Sequence, residues 1–344
     1  MGLSRGTMLG QGWRCRGWQG ARDGLPTKHG FAGRTSHDQK FAFLAHNPEQ
    51  YSMLITEAPT AKNQDRSYLR IDRPHWSFSQ VNQFLRCPLQ YYFERILKLE
   101  RPFTSSALVL GSSVHEALAE YHRHLQANQP VPEGHIQQIF LATWQANEDR
   151  QPIQFKEKET RDELLAQGVA LLELYEQEPP PQNIIAVEEA MLVPLFTSSG
   201  ECLEKPLMAV LDLLNRDDHG LVVNEFKTAA RRCGESETET KLQATAYSHA
   251  IQQRYDEKPG IRYVILVKTK KPQIQYIETM RDDADAARLG DLIQAVERAI
   301  SAEAYYPIES PMNCSGCQFY RQCRNWRGCS QHQAKVENLE MAVC

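Results

Sequence analysis

The sequence predicts an α/β fold, a central mixed β-sheet flanked by helices, from three observations. Segments with apolar residues at helical spacing lie before and after the strands of the folded part. Between them lie β-rich runs at 184–195, 206–214 and 220–227, then at 261–268 and 273–279. A helical segment at about 238–255 separates the two strand groups, so the element order alternates as it does in α/β domains. The 344 residues suffice for a full core, and no internal repeat is visible.

Taken in order, residues 1–74 read as a disordered extension. The first 45 carry five Arg and two Lys against Asp23 and Asp38, with nine glycines and little apolar periodicity. An organelle transit peptide or a start at Met53 are the other readings of this stretch. Folding is expected from Ser77, where Ser77-x-x-Gln80 forms a reciprocal helix cap and Val81, Phe84, Leu85 and Cys87 recur on one face. Pro88 interrupts that helix ahead of the aromatic run Tyr91-Tyr92-Phe93. Ser113-x-x-Glu116 predicts the start of a second helix carrying His115, Leu118 and Tyr121, and further helices follow at 135–148 and 158–178. Asp217-Asp218-His219-Gly220 turns the second strand into the third, and Lys271-Pro272 joins the last two strands. A helix at 283–302 leads into a cysteine loop, and 331–344 form a tail.

Composition narrows the function classes. Hydrophobic content of 41% and 24% charge are ordinary for a globular chain, and no apolar run approaches the length of a membrane span. A net charge of −4 excludes a uniformly basic nucleic-acid coat but not a basic groove. Nine cysteines are too few for a disulfide scaffold at this length, and Cys314-x2-Cys317-x5-Cys323 suits metal ligation. Clustered free thiols and the lack of a clear secretory signal point to the cytoplasm.

The polar residues concentrate in the strands. Asp212 ends the apolar run Leu207–Leu211, and Glu225 and Lys227 alternate onto one face of the next strand, with Phe226 on the other. A hairpin through 215–220 sets Asp212 beside Glu225. Two carboxylates ~4 Å apart repel by about 4 kcal/mol at an effective dielectric near 20. Lys227 offsets this, and a bridging Mg²⁺ or Mn²⁺, with His115 completing its sphere, does so better. Such a site fits hydrolysis of a phosphodiester, with Lys227 positioning water or stabilising the oxyanion. Gln243 and Tyr247, four residues apart, share a helix face near these strands. Arg231 and Arg232 are placed to hold a nucleic-acid backbone.

These residues together resemble the PD-(D/E)XK nuclease superfamily, in particular RecB-type exonucleases with an iron–sulfur cluster, the group of the AddB-type and CRISPR-adaptation nucleases. The resemblance spans about 77–329 within an expected domain of 75–330. It rests on Ser77–Phe93 with Cys87, Gly111–His115, Val210–Asp212, Asn224–Thr228 and Gln243–Tyr247. Ala209 stands where the family often has Gly, and Glu225 where this branch more often has Asp. The resemblance implies a restriction-endonuclease-like core, with His115, Asp212 and Glu225 as metal ligands. It assigns catalysis to Asp212, Glu225, Lys227, Gln243 and Tyr247. A [4Fe–4S] cluster on Cys87, Cys314, Cys317 and Cys323 would join the two ends of the domain. A zinc site on Cys314, Cys317, Cys323 and Cys329 is the alternative; Cys15, Cys202, Cys233 and Cys344 receive no role.

The function expected is a metal-dependent deoxyribonuclease acting on single-stranded ends in repair or recombination; Tyr91, Tyr92 and Trp144 read as core residues first and as base-stacking groups second. A non-catalytic DNA-binding module with the same fold and a sequence-specific endonuclease are the competing functions. No phosphate-binding G-x4-G-K-[ST] motif occurs, so any helicase is a separate partner.

Overall fold

The computed structural model describes residues 74–328. The 1–73 part of the expected N-terminal extension, the C-terminal tail and Cys329 lie outside the described residues. Strand β1 (Trp76–Ser77) leads into helix α1 (Phe78–Arg86), whose Ser77–Gln80 capping box forms as its sequence predicts. Pro88 ends α1 and opens a short helix α2 (Pro88–Tyr91), followed by a π-helical turn at Tyr92–Ile96. Strand β2 (Thr104–Ser105) precedes the long helix α3 (Ser106–Gln126), and α4 (His135–Arg150), β3 (Ile153–Gln154) and α5 (Arg161–Glu176) follow. Strands β4 (Ile184–Val193), β5 (Leu207–Asp217) and β6 (Gly220–Ala229) come next. Helices α6 (Glu235–Glu239) and α7 (Leu242–Tyr255) lead to β7 (Gly260–Val267) and β8 (Gln273–Thr279). Helices α8 (Asp283–Ser301), α9 (Pro311–Cys314) and α10 (Tyr320–Asn325) close the described chain.

Two boundaries differ from the sequence reading. The second helix starts at Ser106 rather than Ser113, because Ser105 takes the cap and accepts a hydrogen bond from the Leu108 amide. His115 therefore sits inside a helix, not at its end. Gly111, Ser112 and Ser113 are poor interior helix residues, but burial of Val109, Leu110, Val114, Ala117 and Leu118 around them outweighs that preference. The helix expected at 238–255 is broken at Lys241, whose backbone is extended.

The sheet runs β1-β5-β6-β7-β8, with β4 along the other edge of β5. The β4–β5, β5–β6 and β7–β8 pairs are antiparallel; β1–β5 and β6–β7 are parallel. One edge of β5 is shared: β1 pairs with Leu207 and Met208, and β6 pairs from Leu213 to Asp217. The intervening residues 209–212 have no strand partner on that edge. Helices cover both faces. One core, containing Phe84, Val223, Tyr247, Tyr263 and Ile293, joins α1, α7 and α8 to the sheet. The other, containing Leu118, Trp144, Leu172, Phe226 and Val264, joins α3, α4 and α5 to the opposite face. No described helix is long and apolar enough to cross a membrane.

The first and last parts of the described chain meet directly. Tyr92 packs on Tyr305 with ring centroids 4.7 Å apart, and Phe93 on Phe319 at 5.9 Å. Leu89 N donates to Tyr306 O at 3.1 Å and Asn313 Nδ2 to Arg86 O at 3.0 Å. Helix α8 reaches its place only because Gly290 has no side chain: a Cβ there would lie 1.9 Å from the Phe196 carbonyl oxygen. Gly290→Ala is expected to destabilise the protein by about 1–3 kcal/mol through this overpacking, read as a lower urea midpoint at unchanged denaturant slope.

Candidate active site

Asp212 lies where the β5–β6 ladder ends. Leu213 pairs with Asn224, and one residue further the strands part. There the Asp212 side chain replaces the missing backbone partner: its Oδ2 accepts from the Phe226 amide at 2.8 Å. This hydrogen bond ties the carboxylate to the strand bearing Glu225 and Lys227, as the hairpin reading requires. A tight turn produces the register, with Asp217 opposite Gly220 and Gly220 at φ 118°.

Groups from both faces of the sheet meet at this opening. From α3, His115 Nδ1 approaches Asp212 Oδ1 to 3.3 Å. From α7, Gln243 Nε2 donates to Glu225 Oε1 at 2.7 Å and to the Tyr247 hydroxyl at 2.8 Å. Lys227 Nζ donates to the same Glu225 oxygen, with about a third of its side chain (36%) exposed. Glu225 itself is 2% exposed, and its Oε2 is buried without a hydrogen-bond partner. Such an acceptor is costly unless something cationic meets it.

Glu188 on β4 joins the site and was not identified from the sequence. Its flanking pairs, Val187 with Leu213 and Glu189 with Leu211, set it across from Asp212. Its backbone is left-handed at φ 52°, a conformation that costs a non-glycine residue about 1–3 kcal/mol. His115, Glu188 and Asp212 present ligand atoms all within 4.8 Å of one another, a spacing suited to a shared cation. The available signal was the pair Glu188-Glu189 amid the apolar run Ile184–Val193, but which of the two matters depends on the pairing register.

Charge balance sets the titration of the group. Burial and then the neighbouring Asp212 raise Glu225 to about 7, against the pull of Lys227 and His115. Burial would lower His115, but Asp212, by charge and hydrogen bond, lifts it to about 9. Burial opposes ionisation of Asp212, yet His115, Lys227 and the Phe226 amide hold it below the ordinary range. Lys227 is raised chiefly by Glu225, against burial. Burial, then Glu225, drives Tyr247 well above its ordinary value, keeping it a neutral hydroxyl. Behind Phe226, the buried His122 stacks on its ring at 5.2 Å and is held neutral, lowered to about 3 by burial.

The second constellation is sulfur. Cys87, Cys314, Cys317 and Cys323 line one cavity with Leu89, Phe93 and Phe319. Burial raises the Cys317 and Cys323 thiols, and the neighbouring cysteines add to that rise. Cys233 lies elsewhere, its Sγ 3.4 Å from Glu237 Oε2. Tyr91, Tyr92 and Trp144 are 8%, 1% and 0% exposed, so they are core residues rather than surfaces for stacked bases. Arg231 is exposed but paired with Glu237 at 2.8 Å, and Arg232 reaches Gln273 at 3.4 Å.

This arrangement has an acid at the end of one strand, a Glu-x-Lys on the next and a histidine from the helix above. The PD-(D/E)XK nuclease superfamily model matches residues 75–324, and the chain belongs to that superfamily. Its members are phosphodiester hydrolases. No curated protein matches the chain in sequence. Among solved structures, a Eubacterium rectale protein provisionally named an exonuclease aligns at 14% identity over 79% of this chain and 94% of its own, with a TM-score of 0.44.

The raised carboxyl group makes a stability prediction for the metal-free protein. Glu225 binds its proton more tightly in the folded state, so its contribution is full below about 4.5 and is lost as pH rises through about 7. His122 works oppositely, costing stability as pH falls below its ordinary 6.5, so the informative quantity is the difference between wild type and Glu225→Gln. In chelator, urea denaturation should show the variant gaining about 3 kcal/mol on wild type between pH 4.5 and 7.

Proposed function

We propose that this protein is a metal-dependent DNA nuclease of the RecB type, hydrolysing phosphodiester bonds at single-stranded ends in repair or recombination. The observation that carries the reading is the buried, unpartnered Glu225 Oε2 beside the convergent donors of His115, Glu188 and Asp212. Hard oxygen donors with one imidazole fit Mg²⁺ or Mn²⁺. His115, Glu188, Asp212 and Glu225 would hold that ion. When bound, it supplies Lewis acidity toward the scissile phosphate and acidifies a water ligand.

The remaining roles belong to the chain. Asp212, fixed by the Phe226 amide, keeps its carboxylate directed at the opening in the sheet. Gln243 holds Glu225 Oε1 and is itself steadied by Tyr247. Lys227, partly exposed and bound to Glu225, can donate to an attacking water or to the charge developing on phosphorus-bound oxygen. Arg231 and Arg232 provide exposed cations beyond the end of β6 for backbone contacts. The preference for single-stranded ends, and a separate helicase as partner, follow from the resemblance to RecB-type enzymes.

The four thiols fit a [4Fe–4S] cluster: a soft donor set around a shared, mostly apolar cavity. Cys87, Cys314, Cys317 and Cys323 would hold it, and its role is structural. Bridging Cys87 to Cys314 across so long a loop contributes about 5 kcal/mol in the chain-entropy treatment borrowed from disulfides. The zinc alternative depends on Cys329.

Mn²⁺-dependent cleavage of 5′- and 3′-labelled single-stranded DNA tests the activity. Lys227→Ala and Asp212→Ala are each expected to lower the rate by about 10²–10³. Wild-type DNA binding without cleavage would instead establish the non-catalytic module, and discrete cuts in closed duplex a site-specific endonuclease. Glu188→Gln is expected to weaken Mn²⁺ binding by about tenfold or more, measured calorimetrically. Cys87→Ser is expected to remove the iron and brown colour and to lower the thermal midpoint by about 10 °C. Zinc in a colourless wild type would reject the cluster.

A further inference from the structure

A second group of ligating side chains lies on α3 beyond His115, in surroundings unlike those of the nuclease site. Glu120 and His124 are one helical turn apart near the C-terminal end of α3. His135 is the first residue of α4, positioned by the left-handed Gly134 at φ 71°. His124 Nε2 lies 3.5 Å from Glu120 Oε1, and His135 Nε2 lies 3.8 Å from the same oxygen. One ligand atom from each residue falls within 4.8 Å of the others. The two rings are 5.1 Å apart, edge to face.

Three features separate this group from a chance surface cluster. First, His135 Nε2 is sealed from solvent and lacks a hydrogen-bond partner, since 3.8 Å to Glu120 is beyond hydrogen-bond reach. Second, His124 Nδ1 lies 3.2 Å from the Pro130 carbonyl. That bond makes Nδ1 a donor and directs Nε2 toward Glu120 as the ring atom free to meet an ion, the outer-shell arrangement typical of metal-binding histidines. Third, Glu120 Oε2 is held by Arg123 Nη1 at 3.2 Å, leaving Oε1 for the histidines. Bonds of about 2.0–2.1 Å place tetrahedral ligands about 3.3 Å apart, so the two Glu120–histidine separations need only a small contraction.

We propose that Glu120, His124 and His135 form a second metal site, selective for a Zn²⁺-class transition metal and distinct from the nuclease centre. Two imidazoles and one carboxylate suit Zn²⁺, Co²⁺ or Cu²⁺ far better than Mg²⁺. The fourth position is open to water. Such an ion fastens the start of α4 to the end of α3 across the loop at 127–134, bracing the helix that carries His115.

The test uses the full chain with its cysteine site loaded as purified and only weakly held metal dialysed away, with Asp212→Asn to weaken ion binding at the nuclease centre. Calorimetry with Zn²⁺ should show one ion bound per chain at this site. Adding His124→Gln and His135→Gln should weaken that binding at least tenfold, and unchanged binding overturns the proposal. Thermal midpoints in chelator show whether the multiple variant folds. If it does not, pulsed electron paramagnetic resonance of one equivalent of Cu²⁺ on the Asp212→Asn chain decides. Two coordinated imidazoles support the site. One imidazole, as the nuclease centre offers, or none overturns it.

Discussion

The whole site depends on how two acidic groups are kept side by side inside the protein. Asp212 and Glu225 occupy adjoining strands where the ladder between them opens, and each raises the cost of ionising the other. The opening relieves this by admitting a cation from either direction: the His115 imidazole from the α3 side, the Lys227 ammonium along β6. The two helical layers reach each other's side chains only because residues 209–212 lack a strand partner on that edge. A continuous ladder would separate His115 from Gln243 by a wall of backbone.

Glu188 is part of the same economy. Its left-handed backbone in mid-strand opposes folding, yet it brings one more carboxylate to the point that His115 and Asp212 share. Strain and like-charge repulsion concentrated at one place are physical marks of a site shaped for binding rather than for stability. The sulfur constellation is built differently. Around it, Tyr92–Tyr305, Phe93–Phe319 and the Asn313–Arg86 hydrogen bond already join the two ends of the described chain. A cluster would reinforce a seam that side-chain packing has drawn.

The sequence made the hairpin legible because alternation is strict there and the turn residues are unambiguous. Asp212, Glu225 and Lys227 followed from it, and Gln243 with Tyr247 from helical spacing. The start of the histidine-bearing helix was misread because Ser113-x-x-Glu116 imitates a cap, whereas tertiary burial allows the helix to run through Gly111 from Ser106. Glu188 was hidden for a different reason. A carboxylate in a strand gains meaning only from its cross-strand neighbour, and the β4–β5 register is not encoded locally. The core reading of Tyr91, Tyr92 and Trp144 is the one the structure bears out, since large aromatic rings gain most from burial.

The short turn between β5 and β6 also orders events in time. A hairpin with so local a closure forms within about 1–10 μs, whereas His115 and Gln243 arrive only when distant helices dock, and non-local contacts come late. The acidic pair is therefore assembled before its imidazole partner is present. During that interval Lys227, carried on the same hairpin, can balance only one of the two negative charges, and the second waits for the docking of a helix far away in the chain.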